Sequence, residues 1–261
     1  MNAVHFDAAD FFLHWYLGGF LVGFGLWLIL GAKRLNDLRR AFPGKLSDEM
    51  RAAIARRQEL EALPLAMWRV PGAINLLLGI AVLGTWLNGL VGYGLGTCAF
   101  ATSLGIGYLS MRNRGATRAA VLAPRTLTSI VPLAWYPVAA IVALAPLTYL
   151  DVPAFALAAV LTCIATMAIF AFAMTSNNMA SIMPGIDPEL ELRVDQQLRC
   201  CRVLGLFGVG MGVPFVFVAL SFPVVPSSIA RDVAYWLGLL AWVVFVAPIV
   251  AGRIRKRFAR G

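Results

Sequence analysis

Seven apolar runs of about 20 residues constrain this chain more than anything else in it: 11–32, 70–90, 93–111, 128–149, 154–174, 203–222 and 233–251. Each is long enough to cross a bilayer as a helix, and none contains an Asp or Glu. A backbone in hydrocarbon must pair its own N–H and C=O groups, which runs of this length achieve as helices. The expected fold is therefore all-α: a polytopic integral membrane protein with seven transmembrane helices in one domain, 1–261. Composition agrees, with 60% hydrophobic and 13% charged residues and a mean hydropathy of +0.79. Once the spans are removed, no segment is left for a soluble domain.

The net charge of +9 would point to nucleic acid in a soluble protein, but here its placement explains it. Segments 33–69, 112–125, 193–202 and 253–260 hold 21 of the 22 Lys and Arg residues, and the opposite connections hold only Arg231. The positive-inside rule reads this as N-terminus outside and C-terminus cytoplasmic. Nucleic acid is not an expected partner; membrane lipids are, and the basic tail GRIRKRFARG suits anionic head groups. The opening MNAVHFDAAD lacks the basic region of a secretory signal, so the first span is expected to be retained. Abundant Arg and Ala with short loops suggest a bacterial inner membrane.

Catalytic motifs are missing. The two histidines, His5 and His14, offer no metal constellation and no haem ligands on separate helices. The seventh run lacks a lysine for retinal, and there is neither a GxSxG elbow nor a GxxxxGK[ST] loop. Cys98, Cys163, Cys200 and Cys201 lack metal or redox spacing and read as reduced thiols. The sequence thus assigns no catalytic residue, metal or cofactor. Uncharged spans also argue against ion-coupled transport, which places ionisable groups near midplane.

The most unusual run is 128–149, with Pro132, Pro137 and Pro146 and the pair Trp135–Tyr136 near its middle. Each proline withholds a backbone N–H, so kinks or breaks are expected. The rings then either line a pocket at the break or pack between neighbouring helices. Asn75, near the start of the second run, either binds substrate or bonds between helices. Asn177 and Asn178, after Ser176 at the end of the fifth run, either gate the cytoplasmic side or cap a helix. Arg69, Arg125 and Arg202 each precede an even-numbered run, where they anchor topology or hold an anionic head group. The pairs Gly19 with Gly23, Gly92 with Gly96 and Gly208 with Gly212 have the spacing that lets helices approach closely in lipid.

Two polar helices are expected beside the membrane, at 47–63 and 188–201. Pro43-Gly44 and Pro184-Gly185 each precede an acidic helix start, a weak echo that would divide the chain as a parallel 3+1+3 repeat. Two functions fit. One is a facilitator or channel for a small solute or lipid, with its site beside the proline-rich run. The other is a non-catalytic subunit or scaffold whose glycine faces bind partner helices, in a homo-oligomer or a membrane complex, and whose polar helices dock a cytoplasmic protein.

Overall fold

The computed structural model describes residues 8–42, 47–61, 64–112, 130–177, 187–222, 225 and 228–258. All regular elements among them are helical. They are α1 (Ala8–Leu35), a short 3-10 helix (Leu38–Ala41), α2 (Asp48–Glu61), α3 (Ala66–Leu83), α4 (Gly89–Arg112), α5 (Trp135–Leu144), a second 3-10 helix (Ala145–Tyr149), α6 (Pro153–Asn177), α7 (Pro188–Ser221) and α8 (Ile229–Phe258).

Among the described residues, five stretches are long and apolar enough to cross a membrane: His14–Leu35, Ala66–Leu83, Gly89–Gly107, Pro153–Thr175 and Glu189–Ser221. Their outward faces carry large apolar side chains: Leu30 is 79% exposed, Leu77 66% and Ile164 58%. Such surfaces on helix after helix are unfavourable in water and ordinary in hydrocarbon.

Proline chemistry sets the fourth run apart. Pro137 is the third residue of α5, where a helix start leaves N–H groups unpaired anyway. Trp135 N–H donates to Pro132 O (3.0 Å) and Tyr136 N–H to Leu133 O (3.1 Å), so this stretch starts a helix late. Pro146 has no N–H for Val142 O; Ala145 N–H takes that carbonyl, and the chain tightens into the 3-10 helix. Within the run expected to kink or break, the described helical piece is 15 residues, Trp135–Tyr149, about 25 Å long.

Other boundaries move for local reasons. The second run ends at Leu83, with Thr85 at φ 61° in the turn. Asn88 Oδ1 accepts from Leu90 N–H (3.0 Å) and Val91 N–H (3.3 Å), capping α4 one turn earlier than the apolar count implied. Residues 188–201 are continuous with the sixth span in one 34-residue helix. In contrast α2 ends at Glu61, separate from α3, so the two halves of the echo run into their spans differently. The Pro43-Gly44 and Pro184-Gly185 turns lie outside the described residues.

The closest packing joins α1 to α3 through reciprocal glycines. A Cβ at Gly25 would stand 2.6 Å from Gly72 O, and one at Gly79 would stand 2.9 Å from Gly18 O. Pro71, inside α3, leaves Met67 O without its helical donor, and Ser103 Oγ from α4 donates to it at 2.5 Å. Each end of the bundle is tied by further contacts between elements. At the basic end, α2 lays Ala53 and Ile54 on Val194 and Leu198 of α7. At the other end, Arg231 of α8 reaches the turn after the second 3-10 helix.

Candidate functional site

A cavity of about 200 Å³ lies between α5, α6 and α7. The α5 segment contributes Val131, Tyr136, Ala139 and Ala143, α6 contributes Met167, Phe170, Ala173 and Met174, and α7 contributes Val203 and Phe207. The space has a sequence cause: alanines at 139, 140 and 143 face the alanine at 173, where larger side chains would close the gap. Ala140, Leu144, Met167 and Met174 line it and are exposed, so the crevice opens sideways onto the apolar flank of the bundle.

The lining is apolar except at Tyr136, whose ring packs edge-on against Phe207, centroids 6.1 Å apart. Its Oη is buried without a hydrogen-bond partner. A buried hydroxyl left this way costs about 1–3 kcal/mol, which an acceptor entering the crevice would recover. Trp135 is half-buried and packs against the same core cluster, while Pro132 and Pro137 are exposed at the helix start.

Other residues marked in the sequence lie elsewhere. Asn75 is buried between α3 and α4, where Nδ2 donates to Pro71 O (2.8 Å) and Gly96 O (3.2 Å). That amide joins two helices and is remote from the crevice lining. Arg69 is exposed in α3, and Arg202 is half-buried in α7. Asn177 closes α6, its side chain outside the described residues, as are Asn178 and Arg125.

Gly92 and Gly96 are buried, with Val82 and Asn75 of α3 where their Cβ atoms would go. Gly19 and Gly23 face outward and would meet nothing within 4 Å; α1 approaches α3 at Gly18 and Gly25 instead. Gly208 is half-buried, and a Cβ at Gly212 would meet only Trp242, at 4.0 Å.

Two polar clusters escaped sequence reading. Arg57 of α2, 1% exposed, donates through Nε (2.9 Å) and Nη2 (2.5 Å) to Glu191 Oε1 and through Nη1 (3.0 Å) to Asp195 Oδ1. Asp195 and Glu191 thereby clamp α2 to α7. Asp187 caps α7, its Oδ1 accepting from Glu189 N–H at 3.3 Å. At the opposite end Arg231 donates to Thr148 O (3.2 and 2.9 Å) and to Asp151 Oδ1, and lies 4.7 Å from the centre of the Tyr149 ring. A basic residue one helical turn from an acid partner is legible in sequence; partners 134 and 80 residues apart are not.

No family model, curated protein or solved structure matches this chain.

Proposed function

We propose that the protein is a lipid-handling facilitator of a bacterial inner membrane, taking an acyl chain from the bilayer into the crevice between α5, α6 and α7. The observation that carries this reading is the pairing of a lateral opening with an apolar lining that holds one unpartnered hydroxyl. At about 200 Å³ it exceeds the roughly 150 Å³ of an apolar cavity that stays dry and admits benzene. A small polar solute would lose its hydration there for a single hydrogen bond, so an apolar chain is the better occupant. Tyr136 Oη then donates to an ester or carboxyl oxygen. Seven crossings with the N-terminus outside belong to the same reading, supported by the charge bias and by short turns at one end of the bundle.

The test is lipid recovery from gently solubilised protein by native mass spectrometry. Ala140→Trp places an indole at the open mouth without disturbing buried packing, and is expected to strip the bound lipid while the variant melts like the parent. Equal lipid recovery from both would remove the crevice as the site.

The scaffold reading keeps one specific support, the open face at Gly19 and Gly23. If it holds, Gly19→Leu dissociates an oligomer or a co-purifying partner while leaving the lipid in place.

A further inference from the structure

Along α7, positions 199, 203 and 207 are spaced four apart and share one face. Val203 and Phe207 line the crevice, so Arg199 stands on the same face one turn nearer the basic end. That is about 6 Å below Val203 and 12 Å below Phe207 at 1.5 Å per residue. Its Nε is buried and has no hydrogen-bond partner.

Among the described residues, no carboxylate forms an ion pair with Arg199. Asp195, one turn before Arg199 on the same row, is bonded to Arg57. The connecting segments 113–129 and 178–186 contain no Asp or Glu, and neither do the described stretches of α5 and α6. A half-buried guanidinium whose Nε is shut off from water and unpartnered gains from a ligand that brings a negative charge.

We infer that the crevice selects an anionic lipid, whose acidic head group is held by Arg199 while its acyl chain runs past Val203 and Phe207 beside Tyr136. This rests on the lipid reading above and adds the charge of the head group. Arg199 sits where the head group of a lipid in the basic-side leaflet would be, and its planar fork matches a phosphate or carboxylate. The apolar lining and the cation are thus the two ends of one amphiphile.

The experiment uses the full chain in nanodiscs of neutral lipid with two photoactivatable probes: a phosphatidic acid and the diacylglycerol carrying the same chains. The probes differ only in the phosphate. The parent protein is expected to capture phosphatidic acid roughly ten- to a hundredfold better, the range for a lost charged hydrogen bond. Arg199→Gln is expected to abolish that preference while still capturing diacylglycerol, and Arg199→Lys to retain much of it. Equal capture of the two probes by the parent, or an undiminished preference in Arg199→Gln, would overturn the inference and leave the acyl-chain reading intact. Capture of neither probe would overturn both.

Discussion

Arg57 is the most completely buried cation described, and it holds two acids, Glu191 and Asp195. Removing one member of such a cluster strands the others away from water, a loss of about 3–5 kcal/mol. Arg57→Met is therefore expected to release α2 from α7, read as rapid hydrogen exchange across 48–61. The added changes Glu191→Gln and Asp195→Asn should restore protection, because the stranded charges are then gone. Slow exchange in the single variant would show that the apolar contact of Ile54 with Val194 and Leu198 holds α2 alone. Arg231 explains a different anomaly. As the lone basic residue opposite the charged connections, it breaks the bias for a structural reason: its guanidinium is used up on Thr148 O, Asp151 and the Tyr149 ring. Neither role was legible from sequence, since a charge near a span reads as a topological anchor until its partner is known.

Glycine spacing shows what an element reveals and withholds. In α1 the spacing of Gly19 and Gly23 is plain, yet the pair that meets α3 is Gly18 and Gly25, opposite Gly79 and Gly72. Both pairs are seven residues apart, the period that keeps one seam facing a partner over two turns. An apolar helix has no polar face to fix its rotation, so sequence named the helix and not its contact side. Gly25→Leu drives a side chain into Gly72 O and is expected to lower thermal stability by at least 1–3 kcal/mol. Gly19→Leu should leave the melting temperature of the isolated chain unchanged. Comparable losses from both would mean that the outward face of α1 is also packed. For 128–149 the prolines did mark the unusual element. What they do there depends on helix position: a proline at the third residue starts a helix, and one inside it would bend it.

For the whole molecule, orientation is the expectation most directly open to measurement. In a background with the four native cysteines replaced, Asn88→Cys should react with an impermeant maleimide in intact cells. Ser47→Cys should react only after permeabilisation. The reverse pattern would invert the topology and move Arg199 to the outer leaflet, taking the head-group assignment with it. The sequence by itself determined that this is an all-helical chain of long apolar helices, with nearly all its basic residues in alternate connections. Length, hydropathy and charge bias act through solvent, and solvent reads each segment independently. Only the tertiary structure decided that α5 is short, that alanines from two helices leave a lateral crevice, and that Tyr136 Oη and Arg199 Nε are buried without hydrogen-bond partners. Those features depend on how neighbouring helices rotate and pack, and uniformly apolar surfaces carry almost no one-dimensional record of that choice.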